Sequence, residues 1–368
     1  MDVVNEKTVK KILPYVKSIE NGTIRGPISL HILLTDYCVN KCNMCDHWKT
    51  ENRKHLSFSI IKRIWNEMNN CDGESICLTG GDPILHPDFK EILKLSRNFD
   101  LGVICTGNFK KNFDMKLLNG LKWLRFSIDS LYPDRYASIR GLDNLYTKII
   151  PTVIEAKNHV KEVGINFTIQ KLNVDEIINI TKFAVENRIY RLMIYPMHGN
   201  DNLCIDRSDA INIIYQLRDV FFLNYHKLIP ENNLEFLLES MESFVKNEDN
   251  IRKSTFDINK YPCMINKIHL SINANGEVYP CETIADDTDA NNGRNMKVKY
   301  VDSKFIEFIE PEYINLYNIG NLNEESLIDI WKNNYKLSFE SDKCKNCYSR
   351  YQPIIEAYYG NCGKKIFI

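Results

Sequence analysis

From residue 29 to residue 198, short apolar runs rich in β-branched residues alternate with stretches of helical spacing. The runs are SLHILLTDY (29–37), SICLTGG (75–81), LGVICTGN (101–108), LKWLRFSID (121–129), INFTIQ (165–170) and RLMIYPM (191–197). They are apolar almost throughout, the pattern of strands covered on both faces. Helical spacing fills 57–70, 88–97, 112–119, 146–163 and 175–188. The first of these opens on Ser57 or Ser59, and NVDEIINITKFAVENR opens on an Asn or Asp cap with early acids. Six strands alternating with helices predict a parallel sheet with helical crossovers, closed into a barrel or doubly wound. In either case the binding site lies at the carboxyl ends of the strands.

After residue 200 the texture changes. Helices are predicted at about 207–226, 233–248 and 324–338, and two β-like runs flank NANG (273–276), a hairpin signal. A boundary near 225–250 divides the chain into an extension (1–28), a β/α unit (29–225) and a C-terminal domain (226–368). The length of 368 residues suits about two domains at roughly 150 residues each. A net charge of −1 and a pI near 6.7 point to no nucleic acid and no anionic membrane surface. The N-terminus has no signal-peptide pattern, and no run of 18 apolar residues predicts a membrane span, so a cytoplasmic protein is expected. Twelve cysteines in a reducing compartment are then expected as core thiols, metal ligands or catalytic groups rather than disulfides.

Three of them crowd into TDYCVNKCNMCDHW (35–48), directly after the first strand. A structural zinc site would need a fourth ligand, which His47 or His55 would supply. Unrelated core thiols are not expected on a loop that carries Asn40, Lys41 and Asn43. Three thiolates also suit three irons of a [4Fe–4S] cube, leaving one iron open. GGDP follows the second strand, TGN the third, and SIDS ends the fourth, so four polar features fall at one end of one sheet.

On these residues the chain resembles the radical S-adenosylmethionine (SAM) superfamily over roughly residues 29–198. TGGDP (79–83) is similar to the family's Gly-Gly-Glu-Pro segment, which receives the SAM amino group; the acid here is Asp82, one methylene shorter. TGN (106–108), SIDS (127–130) and IRG (139–141) resemble the segments that hold the ribose and the methionine carboxylate. Met44 stands where the family often has an aromatic residue. The resemblance implies an α/β fold, a partial (β/α)6 TIM-like barrel. It implies a [4Fe–4S] cluster on Cys38, Cys42 and Cys45. It implies SAM bound by Gly80, Gly81, Asp82, Thr106, Asn108, Ser127, Asp129 and Arg140. The implied chemistry is reductive cleavage of SAM to a 5′-deoxyadenosyl radical that takes a hydrogen atom from the substrate. No catalytic side chain is assigned.

A second set, Cys263, Cys281, Cys344 and Cys347, makes one closed four-ligand site by count, for zinc or for a fully ligated [4Fe–4S] cluster. The hairpin and the later helix resemble SPASM and twitch extensions of radical SAM enzymes. The C-x2-C-x5-C-x3-C run of a full SPASM domain is absent, which implies one auxiliary [4Fe–4S] cluster in a small C-terminal α+β domain. Such a cluster accepts an electron, so the expected activity is two-electron oxidation of a small molecule, such as a sugar or cyclitol alcohol. Its expected partner is an electron donor such as flavodoxin or ferredoxin. The alternatives are a peptide-modifying maturase or epimerase and, more remotely, a zinc-binding scaffold. Cys71, Cys77 and Cys105 read as core. Cys204 and Cys362 are candidate hydrogen-atom donors, and His198 a candidate substrate contact.

Overall fold

The structure, a computed structural model, describes residues 23, 25–45, 47–71, 73–197, 202–246, 265–281, 297–299, 318–334 and 338–340. His198, Cys263, Cys344, Cys347 and Cys362 lie outside the described residues, as does nearly all of the 1–28 extension.

Six strands, β1 (Ser29–Leu33), β2 (Ser75–Thr79), β3 (Asp100–Cys105), β4 (Trp123–Ser127), β5 (Glu162–Ile169) and β6 (Arg191–Pro196), pair in chain order. Every pairing among them is parallel. The alternation of apolar runs and helical stretches predicts the parallel sheet and leaves barrel or doubly wound open; the order is that of the partial (β/α)6 barrel implied by the resemblance. Two further parallel strands cover its edges: β7 (Glu231–Asn232) beside β6, and β8 (His269–Ile272) beside β1. An edge strand left bare would offer unpaired N–H and C=O groups to other chains. The NANG hairpin forms, with β9 (Glu277–Tyr279) antiparallel to β8 and Gly276 at a φ of +84°. A two-residue strand, Gly320–Asn321, adds to β9, so the C-terminal segment continues the barrel's own sheet. Lys297–Lys299 and Ser338–Glu340 pair antiparallel in a separate sheet.

The crossover helices are α1 (Phe58–Asn70), α2 (Phe89–Lys94), α3 (Pro133–Arg140), α4 (Ile150–Ala156) and α5 (Ile177–Glu186). Helix α1 begins where Ser57 Oγ accepts the Ile60 amide (3.4 Å). It buries Ile60, Ile61, Ile64, Trp65 and Met68, each worth about 1.5–3 kcal/mol when fully covered. Its polar side docks the C-terminal segment. Arg63 donates to the carbonyls of Leu322 and Glu325, and Glu67 accepts the Ile328 amide (3.1 Å) at the start of α8 (Leu327–Asn334) once α6 (Arg207–Phe222) and α7 (Leu234–Lys246) have been passed.

Two expected helices differ. The 112–119 stretch is a 3-10 helix over Met115–Gly120, started by Asp114, whose side chain accepts the Lys116 amide. The 146–163 stretch splits into a π turn (Leu145–Ile149) and α4, because Pro151 has no amide to carry the ladder through, and β5 already begins at Glu162. Helix α3 escapes the hydrophobic pattern because its buried face is Tyr136, Ile139 and Arg140, and an arginine hides the stripe.

Asp206 caps α6 in a reciprocal box with Asp209. Hydrogen bonds from Ser208 and the Asp209 amide hold the Asp206 carboxyl below its usual range. A depressed carboxylate stabilises the fold above its unfolded pKa and loses that contribution as the pH falls through the folded value. Asp206→Ala is expected to cost about 1 kcal/mol at neutral pH. In urea denaturation the gap between variant and parent should close under acid conditions; a gap that persists there would refute the cap as its source.

Candidate active site

The cysteine loop leaves β1 at its carboxyl end and is held by the end of a helix. The last carbonyls of a helix have no partner inside it. Here the Ile139 carbonyl accepts the Asn43 amide (2.9 Å), and the Arg140 carbonyl accepts the Lys41 amide (3.2 Å) and Asn40 Nδ2 (3.0 Å). The loop is therefore the C-terminal cap of α3. Gly141 ends that helix at a φ of +76°, and a Cβ there would sit 2.9 Å from the Lys41 N and O. Glycine is required by both the conformation and the approach.

The Gly80–Gly81–Asp82 segment lies on the other side of the same loop. The Gly81 amide donates to the Thr35 carbonyl and the Asp82 amide to the Tyr37 carbonyl, each at 2.7 Å. A Cβ on Gly80 or Gly81 would meet Thr35 O or Tyr37 O at 2.5 Å. The glycines thus permit β2's end to lie flat against the backbone that leads into Cys38. Asp82 is fully buried, accepts from Thr106 Oγ1, and is pushed up to about 6 by burial, against the downward pull of the Thr106 bonds.

Thr106 and Asn108 follow β3. Asn108 Nδ2 donates to Asn40 Oδ1 (3.0 Å) and Thr106 Oγ1 (3.1 Å), while its oxygen accepts from Asn144 (2.6 Å). Its amide bridges the third strand's loop to the cysteine loop. Ser127 ends β4, and Asp129 lies just beyond it. Asp129 pairs with Arg140 (2.9 Å) and accepts the Thr168 amide (2.7 Å); both partners of the pair are buried. Burial would lower the Arg140 pKa, but the Asp129 carboxylate and the neighbouring Cys42 and Tyr136 hold it above the ordinary value.

Cys38 and Cys45 are half-buried and Cys42 is buried. Burial pushes the Cys38 thiol up to about 12 and the Cys42 thiol up to about 11. Trp48 Nε1 and the Cys45 amide both donate to the Cys42 carbonyl, at 3.1 and 3.2 Å. Among the described residues no three His, Cys, Asp or Glu side chains converge as a preformed metal site. The donor chemistry fits an iron–sulfur cluster all the same: three soft thiols share one short loop, and cationic iron deprotonates a thiol outright. His55, the rival zinc ligand, is engaged elsewhere, stacked on Tyr37 (4.5 Å) with Nδ1 2.8 Å from Thr35 Oγ1. Cys71, Cys77 and Cys105 are buried, as expected of core thiols. Cys204 Sγ donates to the Met197 carbonyl (3.4 Å), which follows the end of β6.

Alternation sets Leu30, Ile32, Ile76, Leu78, Leu124 and Phe126 toward the helices. His31, Cys77, Gly102, Arg125, Asn166 and Met193 then face the concave side. Arg125 lies over the Trp123 ring (4.2 Å), and a Cβ on Gly102 would overlap that ring. Arg191 pairs with Glu231 (2.9 Å). By the same register Ile104, Trp123, Gly164 and Arg191 share this face, so it mixes two buried, partnered arginines with apolar and small residues, unlike the uniformly apolar layers that fill a closed barrel.

Residues 32–184 match the radical SAM superfamily model, and residues 263–348 match SPASM, an iron–sulfur cluster-binding domain. The chain belongs to the radical SAM superfamily and carries a SPASM-type C-terminal domain; its cofactors are [4Fe–4S] clusters and SAM. A GTP 3′,8-cyclase from Clostridium perfringens is 29% identical over 204 residues, 52% of this chain and 63% of the relative. The chain thus spans under two thirds of that cyclase's length. A tungsten-containing aldehyde ferredoxin oxidoreductase cofactor-modifying protein from Pyrococcus furiosus is 22% identical over 325 residues, 82% of this chain and 80% of the relative. The fold is also that of Streptococcus suis SuiB bound to S-adenosylmethionine, at a TM-score of 0.58 and 18% identity, covering 88% of this chain and 70% of the other. None of these three names is that of a sugar or cyclitol dehydrogenase.

Asn40 and Asn43 mark the loop as polar in the sequence, but their anchoring contacts, and the parts of Gln170 and Asn144 in them, are not legible there. For Asn40, Asn43 and Gln170 the one signal is an amide in the cysteine loop or just past a strand; Asn144, which precedes the Leu145–Ile149 turn, carries none. Asp129→Asn removes one partner of a buried pair and leaves the Arg140 charge uncompensated, so a loss of about 3–5 kcal/mol is expected in a denaturation series. A loss under about 1 kcal/mol, the size typical of exposed pairs, would contradict that assignment.

Proposed function

We propose that this chain removes a hydrogen atom from a small polar molecule held on the barrel's concave face, as the first half of a two-electron oxidation. The observation that carries the reading is one connected polar network. It joins the Cys38–Cys42–Cys45 loop to Gly80–Asp82, Thr106, Asn108, Asp129 and Arg140, all at the carboxyl ends of the strands. In this proposal Cys38, Cys42 and Cys45 would hold the iron–sulfur cluster. Gly80, Gly81 and Asp82 receive the amino group of SAM, Arg140 and Ser127 its carboxylate end, and Thr106 and Asn108 brace the wall beside it. SAM held there would supply the hydrogen-abstracting group. The chain's own work is to orient these groups and exclude water.

Cys263, Cys281, Cys344 and Cys347 fall within the matched iron–sulfur domain, which supports an auxiliary electron acceptor and hence oxidation. The polar groups gathered at the carboxyl ends of the strands, Asn40, Asn108 and Asn144 among them, support a polar substrate over an apolar one. The name of the cyclase relative, with a nucleotide as its substrate, points the same way.

After anaerobic reconstitution the protein should hold iron and, with SAM and a strong reductant, release 5′-deoxyadenosine. Replacing Cys38, Cys42 and Cys45 together by Ala should abolish that release. Two zinc ions and no iron would overturn the proposal. Nucleotides, sugar alcohols and short peptides screened for faster 5′-deoxyadenosine release should yield a small-molecule hit, with a product two electrons more oxidised. A peptide hit, or a product differing only by one solvent deuterium, would replace oxidation with peptide modification or epimerisation.

A further inference from the structure

Gln170 directly follows β5 and is fully buried. A buried amide costs free energy unless its groups are paired. Gln170 pairs with Asn43 in both directions: Asn43 Nδ2 donates to Gln170 Oε1 (3.0 Å), and Gln170 Nε2 donates to Asn43 Oδ1 (3.2 Å). An amide nitrogen has two hydrogens. The second is directed at Met44 Sδ, 3.7 Å away.

The anchor behind this clamp is rigid. The Gln170 backbone amide donates to Asn173 Oδ1 (2.7 Å). Asn173 Nδ2 in turn reaches the carbonyls of Asp129 (2.7 Å) and Thr168 (2.8 Å). On the loop side, the Asn43 amide is bound to the Ile139 carbonyl (2.9 Å). Asn43 and Met44 are the two residues between Cys42 and Cys45, so Gln170 grips the part of the loop that lies between two thiols without itself offering a ligand.

We propose that Gln170 is a positioning residue. Through Asn43 it fixes the Met44 thioether as a wall of the SAM site and so sets SAM affinity, leaving cluster assembly to the cysteines. The inference rests on the SAM-site reading given under Proposed function. A thioether suits that role because it is polarizable and packs well on aromatic faces.

The test compares Gln170→Glu, Gln170→Leu, Asn43→Ala and the Asn43→Ala/Gln170→Leu double variant as reconstituted holoproteins. Gln170→Glu keeps the shape and one acceptor but removes both donors, so it serves if Gln170→Leu does not fold. Iron per chain should match the parent. The SAM dissociation constant, from equilibrium dialysis, should rise about tenfold, the loss of one to two buried hydrogen bonds. The change that SAM causes in the electron paramagnetic resonance spectrum of the reduced cluster should differ from the parent's. The double variant should bind SAM no worse than the weaker single variant, since both act through one contact. Parent-like SAM affinity and spectra, or single effects that simply add, would overturn the inference. So would iron loss in step with SAM loss, which would make Gln170 a cluster-holding residue. A parent protein whose spectrum ignores SAM would instead overturn the proposed SAM site itself.

Discussion

The cysteine loop and the C-terminus of α3 satisfy each other. A loop of three thiols after a strand has no ladder of its own, and a helix end has carbonyls with no donors. Joining them settles both needs in one place. Arg140 makes the joint specific: its carbonyl accepts from Asn40 and Lys41, and its guanidinium pairs with Asp129 at the end of β4. The loop, the helix and two strands are thereby fixed relative to one another by a few buried contacts.

Other features of the site extend that joint. Asn108 ties the third strand's loop to Asn40, and Gln170 ties the fifth strand to Asn43. Gly80 and Gly81 let the second strand's end reach the backbone before Cys38. Each strand end from β2 to β5 thus reaches the cysteine loop directly or through Arg140. Buried networks of this kind rigidify when every member is paired. A site that must hold reactive groups at fixed separations gains from that rigidity.

The concave face differs in character from the helix side. Apolar side chains fill the space between sheet and helices, whereas arginines, a tryptophan and small residues line the inside. The face was hidden in runs that look uniformly apolar, because Arg125 and Arg191 are single charges among large apolar and aromatic neighbours. Their strands read as buried, and they are buried; the environment is a stacked indole for one and a paired carboxylate for the other.

The six core strands, their alternation with helices and the end at which polar features gather were legible along the chain. Parallel strands covered on both faces write themselves as apolar runs, and their polar interruptions can only fall where the sheet ends. The spacing of Cys38, Cys42 and Cys45 and the paired glycines were legible for the same local reason. Contacts between residues far apart in number were not. That the cysteine loop caps α3, that β8 lies against β1, and that Gln170 faces Asn43 across 127 positions depends on which backbone groups are left unpaired once the sheet has formed. A chain of letters does not record unpaired donors. They exist only after folding, and tertiary packing decides what meets them.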